Sequence, residues 1–533
     1  MSSISSLARA VSGLSANQNA LQTTAHNISN VNTPGYVRQQ VLMKDTTYVK
    51  IGRNGNNNLM VGLGTDIQSI RQVRDMFLDG AFRNESSRYG FYNSGADAVK
   101  EVETILGETE GENMGKILKK FWESLNELSN HPDGLEARGT FVQNAVLFVN
   151  KANLIMKQLG QYQTNLNKQV EDKVNEINSL GEQIKQLNNK IVKYEINGDN
   201  ANDYRDARNN ALDKLAKLVD ISYREDKLGN VFVRAEGIDF VTIGDVNKME
   251  LTQAEPRSPL VSPIWKSTGK EVFNLKSEIK PEKENDRGSL KGILLSRGTR
   301  AATWKDTEDA AKYKKDIEPS FIMKTQARFD MLVHTIVTKV NDILSPRSKL
   351  SPSPYGLDGS THIELFKRKQ MDRYDAAGNY NVEDASNYNS LYTAGNLEIN
   401  PDIIKDYDKI CITKVKGEVG DNQIVQDIIK AWKNADIPES PGSTASLNID
   451  EYYVGFVGEV GSVGKVTRAH MANQQMLVTQ IDNQRSSLMG VSSDEELGNM
   501  MKYQHAYNAS ARVVTVIDQM LEQIVTRLGL VGR

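Results

Sequence analysis

The sequence predicts a multidomain protein, mainly α-helical with a β-rich insertion, whose two terminal helices pair as a coiled coil. Three observations support this fold class. Apolar residues recur at alternating spacings of three and four at both ends of the chain, long helical patterns fill much of the middle, and short apolar runs separated by turn residues begin near residue 221. At 533 residues, the chain has room for about three or four domains.

The first predicted helix begins at the N-terminus and carries a narrow apolar seam. This spacing suits one or more partner helices better than a broad core. We expect the helix to end at Asn32-Thr33-Pro34-Gly35, because proline cannot continue a helix and glycine allows a turn. The seam residues are Ile4, Leu7, Val11, Leu14, Leu21 and Ile28.

The last predicted helix begins at Ser492, and Glu495 three residues later completes the pattern of a capping box. Its apolar residues keep the same spacing: Met500, Tyr503, Tyr507, Val514, Ile517, Leu521, Ile524 and Leu528. In one interpretation the two terminal helices pack on each other and on neighbouring copies. In the other they are independent amphipathic helices on a globular body, and the pattern alone does not choose between them.

Between the terminal helices, the sequence predicts further helices and one region of strands. The predicted helices cover about 69–106, 114–129, 135–196, 203–219, 319–344, 423–434 and 452–489, and strands are expected between 221 and about 295. We therefore predict a terminal coiled-coil domain, a mainly helical middle domain, an outer β-rich inserted domain and a loop-rich insert. The coiled-coil domain comprises 1–40 with 490–533, and the helical domain comprises 41–220 with 300–345 and 395–489. The β-rich domain comprises 221–299, and the loop-rich insert comprises 346–394.

Composition and motifs argue against catalysis. The 65 basic and 68 acidic residues give a net charge of −3, so we expect neither a nucleic acid nor a membrane as partner. A single cysteine, Cys411, excludes an intramolecular disulfide and a Cys-rich metal site. The glycines between 455 and 464 do not have the spacing of a phosphate-binding loop. We expect no enzyme, no catalytic residue, no metal site and no cofactor.

One segment resembles a known family. Residues 25–36, AHNISNVNTPGY, resemble the N-terminal signature of flagellar axial proteins, which include rod, hook and hook-associated proteins. Within this family, residues 61–79, 121–132 and 503–512 resemble the hook-associated members. The resemblance assigns the turn that leaves the N-terminal helix to Asn27, Asn30, Asn32, Pro34, Gly35 and Tyr36.

The resemblance implies a structural subunit at the junction of hook and filament, assembled as a ring through its terminal helices and required for filament growth. The implied partners are other copies of the chain, the hook protein, hook-associated protein 3 and a cytosolic export chaperone. It also implies an extracellular protein, exported without a cleaved signal peptide. Two alternatives are open: a hook or distal-rod protein, or an exported adhesin on the axial scaffold whose activity lies in residues 222–390.

Overall fold

The computed structural model describes residues 2–54, 57–107, 113–196 and 198–528, with side chains described for these residues except 2–4, 51, 54, 57, 527 and 528. The helices are α1 Ser2–Ser29, α2 Met76–Leu106, α3 Met114–Asn130, α4 Leu135–Glu195, α5 Asn202–Leu218, α6 Ser289–Arg297, α7 Ala310–Lys312, α8 Phe321–Leu344, α9 Pro401–Lys405, α10 Gln423–Lys433, α11 Ile449–Met489 and α12 Ser493–Leu528. The strands are β1 Gln39–Asp45, β2 Tyr48–Asn54, β3 Asn57–Gly62, β4 Thr65–Gln72, β5 Ile221–Glu225, β6 Val231–Ala235, β7 Ile238–Val241, β8 Met249–Gln253, β9 Val261–Trp265, β10 Phe366–Arg368, β11 Leu397–Ile399, β12 Ile437–Pro438 and β13 Ser446–Leu447.

The chain folds into two compact units, and each unit is built from separate stretches of sequence. Unit 1 comprises Met1–Ser87, Glu176–Lys248 and Gln474–Arg533, and unit 2 comprises Arg88–Asn175 and Met249–Asn473. Helices α2, α4 and α11 contribute residues to both units. Both ends of the chain therefore belong to unit 1.

In unit 1, α1 packs against α12 and against strands β1 and β4. Strands β1 and β4 pair antiparallel, with a bulge at Leu42 and Met43, and β2 pairs with β3 as a second hairpin. The sequence pattern predicts a helix from residue 69, whereas the structure has β4 there and begins α2 at Met76. These strands have a mixed polar and apolar composition, so their alternation is too weak to reveal them.

The rest of unit 1 is a three-stranded antiparallel meander, β5-β6-β7, packed on the second half of α4. Gly181 of α4 leaves space for Phe240, because a Cβ there would lie 2.6 Å from the Phe240 ring. Asn188 holds the sheet edge: its Nδ2 donates to the Val231 carbonyl, and its Oδ1 accepts from the Val231 amide. Residues 221–299 are divided between the units, since β8 and β9 belong to unit 2.

Unit 2 has a core centred on α8, most of whose side chains are buried. A cluster of stacked and edge-on rings packs in the same unit: Phe121, Phe141, Phe148, Phe366 and Trp432. Asp330 of α8 is fully buried and accepts hydrogen bonds from Thr393 Oγ1 and the Ala394 amide. The loop-rich stretch that leads to residue 394 is thereby tied to the core helix.

Residues 289–297 correct one part of the predicted secondary structure. The pattern predicts strands up to about residue 295, but Ser289–Arg297 form the short helix α6. All nine of these residues are buried, so no polar face shows the helical period in the sequence. Within the described residues, no helix is both long and apolar enough to cross a membrane.

Candidate functional site

The candidate site is the part of unit 1 where the two ends of the chain meet. The face of α1 that is most completely buried carries small side chains rather than the predicted seam: Ala10, Ala16, Ala20, Thr23 and Thr24. Gly13 lies against α12, since a Cβ there would be 3.3 Å from Ser510 Oγ. Glycine allows a close approach of two backbones, so α1 and α12 come close together at Gly13.

The predicted seam residues of α1 are less completely buried than these small side chains. Val11 is 50% exposed, and the side chain of Ile4 lies outside the described residues. The remaining four are about half-buried: Leu7, Leu14, Leu21 and Ile28. The large apolar side chains that define the heptad pattern are thus only partly covered within one chain.

The predicted seam of α12 contains one buried residue among the side chains that the structure describes. Ile517 is buried, Ile524 is exposed, and the side chain of Leu528 lies outside the described residues. The others are half-buried: Met500, Tyr503, Tyr507, Val514 and Leu521. A second apolar stripe, formed by Val513, Val516 and Met520, runs along another side of α12 and is exposed.

The signature turn follows the end of α1. Gly35 has φ of +79°, a left-handed conformation that residues with a Cβ adopt at a cost. A Cβ at Gly35 would also come within 3.3 Å of Asn210 Cβ. The backbone folds tightly just before this residue, because the Thr33 amide donates to the Asn30 carbonyl. Asn32 and Pro34 are exposed on the outside of the turn.

Asn27 is the polar centre of this turn, and its side chain is almost completely buried. Its Nδ2 donates to the Gln39 carbonyl and to Glu496 Oε2, both at 2.9 Å. Its Oδ1 accepts from the Tyr36 hydroxyl at 2.8 Å and from the Gln39 amide at 3.0 Å. Every hydrogen-bonding position of the amide is therefore used, and one side chain joins α1, the turn, β1 and the start of α12.

The start of α12 is held by charge. The buried carboxylate of Glu496 accepts from Arg38 Nε at 2.8 Å, and Glu495 pairs with Arg38 Nη2 at 2.9 Å. The Glu495 amide donates to Ser492 Oγ at 3.5 Å, as expected for an N-cap. The carboxylate of Glu495 binds Arg38, so half of the predicted capping box is replaced by a contact between the chain ends.

Helix α5 carries a buried carboxylate, Asp206, that binds the signature turn. Its Oδ2 accepts from the Val37 amide at 3.1 Å, and its Oδ1 accepts from Gln72 Nε2 at 2.6 Å. Burial raises the pKa of Asp206 to about 7, although the Val37 hydrogen bond and the nearby Arg74 charge lower it. The sequence gives no signal for this contact, because the two partners lie 169 residues apart.

A second charged cluster lies around Asp79 of α2. Arg74 Nε is 2.5 Å from Asp79 Oδ2, and Arg485 Nη2 lies 2.8 Å from both Asp79 Oδ1 and Asp213 Oδ2. Arg83 Nε pairs with Asp213 at 2.6 Å. This cluster links α2, α5 and α11 within unit 1. No recognisable sequence motif contains it, because each residue alone resembles an ordinary surface charge.

These contacts hold the chain ends in place and leave apolar helix faces open. Among the described residues, no group of three or more His, Cys, Asp and Glu is arranged to hold a metal ion. The geometry supports packing against other protein surfaces.

Three family models match the chain. The helical domain of flagellar hook-associated protein FlgK matches residues 99–354. The flagella basal body rod protein matches residues 7–36, and the C-terminal model of the flagellar basal body rod FlgEFG proteins matches residues 483–527. The two shorter matches cover most of α1 and most of α12.

Full-length relatives share one name. Flagellar hook-associated protein 1 of Bacillus subtilis (strain 168) is 29% identical over 530 residues, which cover 98% of this chain and 97% of that protein. Flagellar hook-associated protein 1 of Escherichia coli (strain K12) is 23% identical over 562 residues, covering 97% and 98%.

The solved structure of the flagellar hook junction protein FlgK from Burkholderia pseudomallei also matches, with a TM-score of 0.55 and 13% identity. The match covers 77% of this chain and 100% of that one. At this level of identity the likeness shows a shared fold.

Proposed function

This chain belongs to the flagellar hook-associated protein family, and we propose that it forms the ring of subunits that joins the hook to the filament. Members of this family are structural components of the flagellum rather than enzymes, which confirms the prediction from sequence. The observation that supports the junction role best is the match to hook-associated protein 1 of Bacillus subtilis over 98% of this chain. The ring would sit at the hook tip, and filament growth would require it.

The terminal helices are the proposed means of assembly. Within one chain, α12 packs on α1 at Gly13, while Val11 is exposed and Leu7 and Leu14 are only partly buried. The second stripe of α12 also lacks cover. Exposed apolar stripes of this kind favour protein–protein association. We infer that copies of the chain complete the coiled-coil packing for one another, through the predicted seams on both helices.

The proposed partners follow from this role. The hook protein would contact the ring on one side and hook-associated protein 3 on the other. Before export, a cytosolic chaperone would cover α12, whose exposed stripe would otherwise promote aggregation. The chain would reach the outside of the cell through the flagellar export apparatus without a cleaved signal peptide.

The domain division is also a proposal. It assigns 1–40 with 490–533 to the ring wall, 221–299 to an outer β-rich domain and 346–394 to a separate insert. Limited proteolysis followed by mass spectrometry would test it, because domain boundaries are preferred cleavage sites. Cleavage confined to places inside these ranges would argue against the division.

A hook or distal-rod protein is the nearest alternative. That reading accounts for the two rod-family matches at residues 7–36 and 483–527. It does not account for the match of residues 99–354 to the FlgK helical domain, so the junction role is preferred.

Gene deletion in the motile host tests the proposal. We expect bare hooks by electron microscopy and flagellin lost to the medium by immunoblot. Normal filaments after deletion would refute the junction role. Complementation with Leu14→Asp or Leu521→Asp should fail to restore filaments, because each places a charge on a predicted seam. Asn508→Asp is the matched control, since it adds the same charge at an exposed position of α12.

A further inference from the structure

The hairpin formed by β2 and β3 exposes apolar side chains on both of its faces. Tyr48 is 58% exposed and Met60 is 57% exposed on one face, and Val49 is exposed on the other. A two-stranded hairpin is at best marginally stable by itself in water. Its exposed apolar surface therefore indicates that another surface covers it when the protein acts.

One face of this hairpin combines apolar and basic groups. Lys50 lies directly opposite Met60, and Tyr48 lies opposite Gly62, so these four residues share a face. Lys50 and Arg53 are the charged residues between Thr46 and Gly64, and this stretch contains no acidic residue. We name the face of Tyr48, Lys50 and Met60 the basic hairpin face.

Near its C-terminal end, α12 carries a face of the opposite charge. Asp518, Glu522 and Val525 follow at spacings of four and three, so they lie on one side of the helix. All three are exposed, Val525 to 73%. Among the described residues, the carboxylates of Asp518 and Glu522 form no ion pair, and the Lys50 ammonium forms none. We name this set the acidic α12 face.

We propose that the basic hairpin face of one copy docks on the acidic α12 face of a second copy. The inference rests on the proposed ring assembly and names a contact within it. Both faces pair exposed apolar groups with unneutralised charge of opposite sign, and such complementarity selects partner and register. The apolar part comes from Met60 against Val525, and methionine adapts its shape to imperfectly matched partners.

Charge reversal tests the contact in the full chain in living cells. Lys50→Glu should reduce filaments per cell at least about fivefold, because it creates a like-charge contact at the interface. Combining it with Asp518→Lys and Glu522→Lys should restore filaments to within about twofold, because the attraction is re-formed with the signs exchanged. The matched control is Lys227→Glu, an equal reversal at an exposed lysine in the turn between β5 and β6, which should assemble normally.

Cysteine cross-linking tests the same contact directly. The natural Cys411 is buried, so it adds little background. Flagella assembled from Lys50→Cys/Asp518→Cys protein should give a ladder of covalent multimers after mild oxidation. Lys50→Cys/Val516→Cys is the control and should give no ladder, because residues two apart lie on nearly opposite sides of a helix.

Two results would overturn this inference: normal filament number with Lys50→Glu alone, or assembled flagella of the Asp518→Cys pair that give no ladder. If the Lys50→Cys/Asp518→Cys protein does not assemble, the charge-exchange variant provides the test. Failure of Asp518→Lys and Glu522→Lys to rescue Lys50→Glu then overturns the contact. Failure of the junction role is a separate outcome, since normal filaments after gene deletion refute that role. Loss of filaments on deletion together with a missing ladder would refute the contact alone.

Discussion

Asn27 offers the sharpest test of how the chain ends are held together. Asn27→Ala removes a buried amide that makes four hydrogen bonds, two as donor and two as acceptor. In this variant the Tyr36 hydroxyl keeps its hydrogen bond to His26 Nδ1 at 3.0 Å, and Glu496 keeps its ion pair with Arg38. The Gln39 amide loses this acceptor, the Gln39 carbonyl loses this donor, and the Glu496 carboxylate loses one of its donors.

The expected cost follows from these losses. A buried polar group left without its partner costs about 1–3 kcal/mol. Since two of the partners keep another contact, we expect Asn27→Ala to lower the free energy of unfolding of unit 1 by about 2–4 kcal/mol. Asn27→Asp should cost at least as much, because a carboxylate would face Glu496 in place of a donor.

Denaturant unfolding followed by far-UV circular dichroism measures this effect. All four tryptophans lie in unit 2, so tryptophan fluorescence of the same samples reports on that unit and serves as an internal control. Asn30→Ala is the matched variant: Asn30 lies in the same turn but bonds only to its close neighbours His26 and Thr33. If the two variants agree within about 0.5 kcal/mol, a typical surface effect, Asn27 does not join the chain ends as described.

Three further predictions concern unit 1. Gly35→Val should cost about 1–2 kcal/mol from its left-handed φ, seen as a lower unfolding midpoint, and no loss would mean that the turn tolerates a Cβ. Arg485→Ala should cost about 1–3 kcal/mol because the buried Asp79 loses one of its two cations and keeps Arg74, and a calorimetric change no larger than that of a surface variant would contradict this. Burial raises the pKa of Asp206 to about 7, above its ordinary value in the unfolded chain. The folded chain thus keeps a proton that the unfolded chain releases, so the stability contributed by Asp206 should fall as pH rises from about 4 to 7. Asp206→Asn should flatten that part of the stability profile, and an unchanged profile would refute the assignment.

Local sequence patterns predicted the long helices well. Breakers such as Pro34 with Gly35 end α1 close to the expected place, and the pattern of α4 matches Leu135–Glu195. Periodicity works here because each helix has a buried side and a polar side. It failed for α6, which is buried all round, and for β1–β4, whose strands are largely exposed.

The sequence predicted the two terminal helices of the candidate site, but it did not predict the side-chain contacts that join them. The heptads marked α1 and α12, and the family signature marked Asn27, Gly35 and Tyr36. The sequence did not reveal that the most buried positions of α1 are alanine and threonine, because a heptad pattern is recognised from large apolar residues. It also could not reveal Arg38 with Glu496, since ion pairs between distant segments leave no local pattern.

The hydrogen bond between Asn27 and Glu496 joins residues 469 positions apart. Loops of that length close slowly, and native contacts between such distant residues form late in folding. A chain made from its N-terminus must therefore expose α1 until almost the whole sequence has emerged. A truncated chain that lacks its last helix can fold much of unit 2 but can never complete unit 1, so unit 1 distinguishes finished molecules from unfinished ones.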